Sequence, residues 1–459
     1  MSNPNLINNT NEMRHRGEED VVVIGSGIAG LTAAIYVARS GRSVTIIEQS
    51  SDVGGRARTA IDNGYYFNQG PRALYLSGAG VKILNEIEVK YSGKAPPTPA
   101  YVIKQGKKYP LPTNLSSLIT TKLLKGLSSR VEAIRTFAAL KKIKFSEIEQ
   151  VSLQEWLDKK IRHRDVADLL KLLCRVATYA NDPEIQSAGT ALSQLQMAIE
   201  SGVIYLDGGW QTLVKGLVAK AQEAKVTIVK GKRVVEVVPQ DSDNNNLTSS
   251  VSRWKIHLSD DSSMTASVLI MAISPRGAYE LFRTRPNIMS YVIDAGKNPV
   301  RAACLDVALS TLPNRSVPVA FGMDSPLYLS VHSESAKLAP KGGALIHVLK
   351  YLKSSIDLDP KSDESDLELL LDIVQPGWRT LVVKRRFLPN MIVSNALVTA
   401  EGGGIPGRPD TRVPNADNLY IVGDWVGVEG LLADASFASA KRAANQILET
   451  HPRLVSSIA

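Results

Sequence analysis

The stretch that decides the fold is VVVIGSGIAG, residues 21–30, which is followed by a helical pattern. The four apolar residues at its start are typical of a strand that is covered on both faces. A second apolar run, VTII at 44–47, ends in Glu48. The order of strand, glycine-rich turn, helix and strand predicts a βαβ unit with a parallel sheet.

The glycine-rich turn has the context that a dinucleotide-binding site requires. Gly25 permits the tight turn, Gly27 lets the backbone approach a pyrophosphate, and Gly30 lets the helix pack closely on the sheet. The helix N-terminus then presents free N–H groups and a partial positive charge to the phosphates. Glu48 is placed to accept hydrogen bonds from a ribose. The sequence therefore predicts a dinucleotide site at this turn.

Two further motifs extend this predicted site. Gly54, Gly55 and Arg56 follow the second strand, where a guanidinium can contact phosphate oxygens. Near the C-terminus, the strand-like run at 419–422 ends in Gly423 and Asp424. A carboxylate is a poor partner for a phosphate, so this aspartate is predicted to bond a sugar-alcohol hydroxyl. A small-residue helix follows, and its N-terminus would stabilise negative charge on a reduced cofactor ring.

Length and composition exclude several classes of protein. The chain has 459 residues, of which 44% are hydrophobic and 22% charged, as in an ordinary globular protein. Its two cysteines, Cys174 and Cys304, cannot form a disulfide framework, and its six histidines are scattered, so no metal site is predicted. The first residues lack the apolar core of a signal peptide, and no run is long and apolar enough to span a membrane. A cytoplasmic location is predicted.

The chain is basic, with 54 Lys and Arg against 45 Asp and Glu, a formal net charge of +9. These basic residues are spread along the sequence, and aromatic residues make up only 6%. Nucleic-acid binding is therefore not predicted. An anionic cofactor, an anionic membrane surface or solubility alone accounts for the charge equally well.

Four segments together resemble one known superfamily, the flavin amine oxidases, phytoene desaturases and protoporphyrinogen oxidases. These segments are Val21–Arg58, FNQGPR at 67–72, LDGGWQTL at 206–213 and LYIVGD at 419–424. They span nearly the whole chain in the order that the family has them. The resemblance implies an α/β fold, with a Rossmann-like FAD-binding domain of the glutathione-reductase type and an interleaved α+β substrate domain. It also implies that FAD is bound without a covalent link, and that the strand containing Val235 meets the adenine.

The motifs and the resemblance together give a predicted organisation. A disordered tail is expected at 1–19, the FAD-binding domain at 20–80, 205–275 and 405–459, and the substrate domain at 81–204 (helical) and 276–404 (mixed sheet). The predicted cofactor-binding residues are Gly25, Gly27, Ile28, Ala29, Gly30, Glu48, Gln49, Gly54, Gly55, Arg56, Gly70, Pro71, Arg72, Val235, Gly423, Asp424, Gly430, Leu431 and Leu432.

The predicted reaction is hydride transfer from a substrate C–H to flavin N5, with a lipophilic small molecule as substrate. The resemblance to amine oxidases is incomplete, because residues 426–430 offer no aromatic residue for an amine cage and Trp425 lies next to the motif instead. This favours a phytoene desaturase-like dehydrogenation. An oxidase of amines, amino acids or protoporphyrinogen that uses O2 is the alternative. A redox-neutral flavin isomerase or a non-catalytic FAD-binding protein is an alternative of another class.

The sequence gives only weak candidates for catalytic side chains. Tyr205, His332 and Arg386 are polar residues that could face the pocket, and 387–391 could line it. No second glycine-rich nucleotide turn follows a strand, so O2 or a quinone is the predicted electron acceptor.

The helical region at 115–145 carries a basic face, which raises the question of a membrane. It includes Lys122, Lys125, Arg130, Arg135, Lys141 and Lys142. This region could make peripheral contact with an anionic membrane to collect a lipophilic substrate, or it could be a cap helix with a solvated basic face.

Overall fold

Residues 18–240, 253–355 and 358–450 are described by this computed structural model, and they form two large sheets with helices around them. The strands are β1 (Glu18–Ile24), β2 (Val44–Glu48), β3 (Thr59–Asp62), β4 (Tyr65–Asn68), β5 (Leu74–Tyr75), β6 (Gly93–Lys94), β7 (Ala100–Lys104), β8 (Lys107–Pro110), β9 (Val203–Leu206), β10 (Thr227–Lys230), β11 (Val234–Gln240), β12 (Arg253–Leu258), β13 (Ser263–Met271), β14 (Val300–Leu309), β15 (Val319–Gly322), β16 (Leu327–Val331), β17 (Ala344–Leu352), β18 (Val382–Ser394) and β19 (Leu419–Ile421).

The helices lie between these strands, and the longest, α12, ends the described part of the chain. They are α1 (Ile28–Arg39), α2 (Ala79–Glu86), α3 (Leu115–Thr120), α4 (Gly126–Leu140), α5 (Leu153–Lys160), α6 (Arg164–Thr178), α7 (Ala188–Ser201), α8 (Gln211–Glu223), α9 (Pro275–Leu281), α10 (Tyr291–Ala295), α11 (Pro360–Val374) and α12 (Leu432–Thr450).

The first sheet confirms the predicted βαβ start. Its order is β10-β2-β1-β13-β12-β11, and β19 pairs with β13. Strands β10, β2, β1, β13 and β19 pair in parallel with one another. Strands β12 and β11 extend the sheet from β13 with antiparallel pairs. Helix α1 packs against α12 and α8. Because three distant stretches of chain supply these strands, we keep the predicted discontinuous FAD-binding domain as our proposal for the domain limits.

Gly30 explains how α1 can lie so close to this sheet. A Cβ atom at Gly30 would stand 2.0 Å from the carbonyl oxygen of Gly25. No side chain tolerates such a distance, so only glycine fits where the helix crosses the turn. The buried valines and isoleucines of β1 and β2 fill the space between the sheet and the helices.

The second sheet has the order β18-β14-β17-β16-β15-β7-β8. All its described pairs are antiparallel except β7 with β15. Helix α11 packs on this sheet through Leu367, Leu370 and Leu371. A second cluster of buried side chains joins the same sheet to helices α4, α5, α6 and α7. Met391 and Val393 of β18 bring this sheet to the same cavity as the residues that follow β1 and β2.

Three predictions about local structure need correction. The segment 81–204 is not purely helical, because it contains β6, β7 and β8, and two of these strands join the second sheet. The predicted helical region at 115–145 contains two separate α-helices, α3 and α4, since the backbone leaves the helix at Thr121 and Gly126 adopts a φ of +86°. Strand β1 begins at Glu18, inside the predicted tail, and residues 1–17 lie outside the described residues.

Candidate functional site

A cavity of about 810 Å³ opens where β1, β2 and β13 end. Most of the predicted cofactor-binding residues line it: Gly25, Gly27, Ile28, Ala29, Glu48, Gln49, Gly54, Gly55, Arg56, Pro71, Arg72, Val235, Gly423, Asp424, Leu431 and Leu432. Gly30, Gly70 and Gly430 are not in the wall of the cavity. Each of these three instead has a backbone reason to be glycine, either close packing or a positive φ.

The turn after β1 leaves open space where a cofactor phosphate would have to approach. Gly25 has a φ of +101°, so it makes the turn that other residues rarely make. Gly27 is the N-cap of α1, with an ordinary φ of −66°, and a Cβ atom there would meet nothing within 4 Å. The first turn of α1 has no acidic residue. Its free N–H groups therefore present an anion-binding surface to the cavity.

Glu48 lies at the end of β2 with its carboxylate fixed in place. Its Oε2 accepts hydrogen bonds from the amide of Ser26 at 2.9 Å and from the Ser26 hydroxyl at 2.6 Å. Its Oε1 accepts from the amide of Ser50 at 2.9 Å. A carboxylate oxygen has two acceptor positions, so Oε1 can still accept a hydroxyl. This arrangement suits the predicted contact with a ribose.

Arg56 and Asp424 were predicted as separate cofactor contacts, but the structure pairs them. The Nη1 of Arg56 lies 2.8 Å from Oδ2 of Asp424 and 3.0 Å from the carbonyl oxygen of Val393. Asn395 also donates to Asp424, through its amide at 3.1 Å and its side chain at 2.8 Å. Burial alone would raise the pKa of Asp424, but Arg56 and Asn395 hold it below its usual value. The pair ties the turn after β2 to the segment after β19.

The other end of the cavity is mostly aromatic and apolar, with the guanidinium of Arg72 beside Trp210. It is lined by Tyr75, Tyr179, Trp210, Met391 and Val393. The two tyrosine hydroxyls donate to backbone carbonyls, Tyr75 to Ala177 at 2.7 Å and Tyr179 to Pro71 at 3.1 Å. Burial raises the pKa of Tyr75 to about 12 and also raises the pKa of Tyr179. Both rings therefore present carbon surface, and their hydroxyls are neutral donors that are already used.

Comparison with known proteins identifies the family. The sequence profile of the flavin containing amine oxidoreductases matches residues 28–292, which is more than half of the chain. The chain belongs to the flavin containing amine oxidoreductases. The match begins at the first residue of α1 and includes Glu48, the double glycine at 54–55 and the cavity tyrosines Tyr75 and Tyr179.

The relatives of this oxidoreductase family member are distant. It is 26% identical over 231 residues to a protein named as a probable flavin-containing monoamine oxidase A of Dictyostelium discoideum, which covers 46% of this chain and 50% of that one. It is 33% identical over 105 residues to a phytoene desaturase of Cercospora nicotianae, covering 22% of this chain and 17% of that one. The chain thus spans about half the length, or less, of these curated relatives.

A solved structure shares the fold over nearly the whole chain. It is an oxidoreductase from Methanosarcina mazei, with a TM-score of 0.73 and 17% sequence identity, and the match covers 93% of this chain and 100% of that one. At this level of identity the likeness concerns the fold alone. It agrees with a Rossmann-like cofactor domain and an attached second sheet.

FAD, the cofactor of this family, fits the residues of the cavity. The open space in front of Gly27, at the N-terminus of α1, suits a pyrophosphate. The fixed carboxylate of Glu48 suits the ribose, and Val235 lines the cavity at the start of β11, where the adenine was predicted. When bound, FAD supplies a two-electron acceptor, and the residues described here would hold and orient it.

The three weak candidates for catalysis form one buried network, and none of them lines the cavity. The Tyr205 and His332 rings are stacked, with centroids 3.7 Å apart. The ring of His347 lies against His332, and its Nδ1 is 2.5 Å from Asp306. Arg386 binds the other oxygen of Asp306 through Nε at 3.0 Å. A catalytic role for Tyr205, His332 or Arg386 therefore stays an untested prediction.

This network also contains one set of side chains that could hold a metal ion. The ligand atoms of Cys304, Asp306 and His347 all lie within 4.8 Å of one another. Burial alone would raise the pKa of Asp306, but His347 and Arg386 hold it below its usual value. Because Arg386 already balances the carboxylate charge, a structural ion pair accounts for the cluster.

Asn395, Tyr179 and Trp210 are among the cavity residues that the sequence did not identify. Asn395 follows β18 and carries no recognisable motif, so only the fold reveals its contact with Asp424. Tyr179 ends α6 in a left-handed conformation with a φ of +62°. Trp210 was within the quoted stretch at 206–213, so its motif could have identified it.

Asp434 leads to a prediction about pH. It lies in the first turn of α12, lines the cavity, and accepts a hydrogen bond from the amide of Gly80 at 2.7 Å. Burial raises the pKa of Asp434 from 3.8 to about 6. The folded protein therefore keeps this proton at a pH where the unfolded chain has lost it, so the free energy of unfolding falls as pH rises from about 4 to about 6.

We expect Asp434→Asn to remove this part of the pH dependence, because an amide oxygen can still accept from Gly80 without a charge. The variant apoprotein should gain stability relative to the parent across this pH range, by at most about 3 kcal/mol at pH 7. Urea unfolding of both apoproteins at pH 4.5, 5.5 and 7 measures the difference. A difference that stays constant over this range would show that Asp434 is ionised normally.

No described helix combines the length and the apolar composition needed to cross a bilayer.

Proposed function

We propose that this protein is an FAD-dependent oxidoreductase that dehydrogenates a lipophilic substrate, in the manner of phytoene desaturases. The observation that carries this proposal is the aromatic and apolar end of the cavity, where Tyr75, Tyr179 and Trp210 offer ring surface. Such a surface would hold an apolar substrate and exclude water. The residues around it would position a C–H bond for hydride transfer to the bound FAD.

The charge at this end supports a dehydrogenase of neutral or anionic molecules over an amine oxidase. The guanidinium of Arg72 lies 5.6 Å from the ring centroid of Trp210. An ammonium ion at the same ring would be repelled by it. Trp425, which could have replaced the missing aromatic residue of an amine cage, is fully buried and donates its indole N–H to the carbonyl of Ile273. It is not among the residues that line the cavity.

Photoreduction of the purified holoprotein without air, followed by exposure to air, tests this proposal. We expect the reduced flavin spectrum to persist for many minutes, since a desaturase-like enzyme passes its electrons to a quinone. Return of the oxidised spectrum within seconds would instead favour an oxidase of amines or protoporphyrinogen that uses O2. A third outcome is that no lipophilic, amine or porphyrinogen substrate supports steady reduction of any electron acceptor. The protein would then be a redox-neutral or non-catalytic flavoprotein, and neither the desaturase nor the oxidase would stand.

We also propose peripheral contact with an anionic membrane through α3 and α4. Leu115, Ile119 and Leu127 are large apolar residues with exposed fractions of 61%, 50% and 72%. Basic residues follow Leu115 and Ile119 in the sequence and flank Leu127, between 122 and 142. Exposed apolar side chains next to positive charge suit the headgroup region of a membrane with anionic lipids. A lipophilic substrate could then enter from the bilayer.

Liposome sedimentation tests this contact. The protein should pellet with vesicles that contain phosphatidylserine at low salt, and less at moderate salt, because salt screens the attraction. The double variant Leu115→Ser with Leu127→Ser should pellet much less. Matched control changes are Leu358→Ser and Leu369→Ser, which alter exposed leucines outside α3 and α4. Equal pelleting of all variants, or no dependence on lipid, would contradict the membrane contact.

A further inference from the structure

The carboxyl group of Asp434 lies in the wall of the cofactor cavity without a basic partner. Asp434 belongs to the first turn of α12, shortly after Leu431 and Leu432, which line the same cavity. Its exposed fraction is only 4%. Among the described residues, no lysine, arginine or histidine forms an ion pair with it. It therefore differs from the other aspartate of this wall, Asp424, whose charge is balanced by Arg56.

Glycines from two segments make room for this carboxyl group. A Cβ atom at Gly78 would stand 2.1 Å from Oδ2 of Asp434, and one at Gly80 would stand 2.8 Å from Oδ1. A Cβ atom at Gly430 would stand 2.8 Å from the Cβ of Asp434. The amide of Gly80 donates to Oδ1 at 2.7 Å. The fold thus holds the group in one position and leaves Oδ2 as the place for a proton.

The charged and titratable groups that face Asp434 belong to three elements. Lys82 lies on α2, Glu429 lies in the loop before α12, and Tyr75 lies on β5. Lys82 and Glu429 are exposed and opposite in charge. Tyr75 is neutral, because burial raises the pKa of its hydroxyl to about 12. Burial is also the main influence on Asp434 and raises its pKa to about 6, so a new charge in the cavity would change its protonation near neutral pH.

Reduction of the bound FAD brings such a charge into the cavity. When a substrate C–H bond breaks and its hydride joins FAD, the substrate loses two electrons and the cofactor gains one negative charge. The dehydrogenated substrate then releases a second hydrogen to solvent as a proton. A carboxylate in the cavity wall repels the added negative charge, whereas a neutral carboxyl group does not. The repulsion is strong because the group is almost inaccessible to water.

We propose that Asp434 takes up a proton from solvent at Oδ2 when the bound FAD is reduced, and so makes the reduction potential of the flavin depend on pH near neutrality. The two events are linked. Reduction of FAD raises the pKa of Asp434, and ionisation of Asp434 lowers the reduction potential by the same free energy. This inference goes beyond the proposed function, because it requires bound FAD but holds for any molecule that reduces the flavin.

The test is the midpoint potential of the flavin in the holoprotein, measured without air against reference dyes from pH 5 to pH 8. Asp434→Asn keeps an acceptor for the amide of Gly80 but never carries a charge. At pH 5 the parent and this variant should agree. At pH 8 the parent should bind reduced FAD, relative to oxidised FAD, about tenfold less tightly than the variant does, which is a potential about 30 mV lower. Asp434→Ala, which lacks the hydrogen bond as well, should follow the asparagine variant.

A control variant and a second measurement make the result specific. Glu449→Gln removes an acid from the exposed far end of the same helix, and its potential should follow the parent at every pH. The reduced-minus-oxidised infrared spectrum of the parent at pH 7 should show the carbonyl stretch of a newly protonated carboxyl group, which Asp434→Asn should lack. Absence of this band from the parent, or a gap between parent and variant that is zero or constant with pH, would overturn the proposal. Failure of every lipophilic substrate, with these potentials as expected, would refute the proposed function alone.

Discussion

Gly27→Trp protein should fold and yet purify without FAD. In the described structure a Cβ at Gly27 meets nothing within 4 Å, and φ is −66°, so a side chain can start there without backbone strain and extend into the open space. Its side chain would instead fill the space at the N-terminus of α1 that the pyrophosphate needs. Loss of two charge-assisted hydrogen bonds costs roughly 3 kcal/mol or more, which is about 100-fold in the Kd for FAD.

The visible spectrum of the purified variant measures FAD retention, and the urea midpoint of its apoprotein measures whether it folds. Arg39→Trp is the matched control, because it places the same large side chain at the exposed end of α1. It should retain FAD fully. Gly30→Ala, in contrast to Gly27→Trp, should fail to fold, because its Cβ would lie 2.0 Å from the carbonyl oxygen of Gly25. Full flavin occupancy in Gly27→Trp would contradict the assignment of the phosphate site.

Arg56→Ala should lower both stability and FAD affinity. Removing the guanidinium leaves the Asp424 carboxylate buried without its counter-charge. Breaking a buried ion pair costs about 3 to 5 kcal/mol. We expect a loss of about 2 kcal/mol in the unfolding free energy, below that range, because Asn395 still donates two hydrogen bonds and Arg56 is partly exposed.

A double-mutant cycle isolates the pair. Asp424→Asn alone should cost less than Arg56→Ala, since it removes the buried charge itself. The combination of Arg56→Ala with Asp424→Asn should be less destabilising than the sum of the two single changes, by about 1 kcal/mol or more. Urea unfolding of the four apoproteins gives these values. Strict additivity would show that the two side chains act independently.

The sequence was sufficient for the part of the fold in which neighbours in the chain are neighbours in space. The βαβ unit from β1 to β2 was predicted because the glycine positions and the apolar runs lie within 30 residues. Glu48 could be placed for the same reason, because the end of a strand fixes the position of its side chain. Most of the predicted cofactor residues do line the cavity.

Contacts between distant segments could not be predicted in the same way. The pairing of Arg56 with Asp424 joins residues that are 368 positions apart, and each alone suggested a different partner. The network around His332 depends on the register of β14 against β17, which places Asp306 opposite His347. Local periodicity also failed at α3 and α4, because it does not record where the backbone breaks a helix.

The most direct test of the whole account is the flavin content of the purified protein. We expect the absorption spectrum of a bound flavin, and one FAD per chain in the supernatant after acid precipitation of the protein. Release into the supernatant also tests our proposal that the flavin is not covalently bound, which agrees with the position of Cys174 and Cys304 outside the cavity wall. A protein that purified colourless, and took up no FAD from an excess in solution, would contradict the central claim.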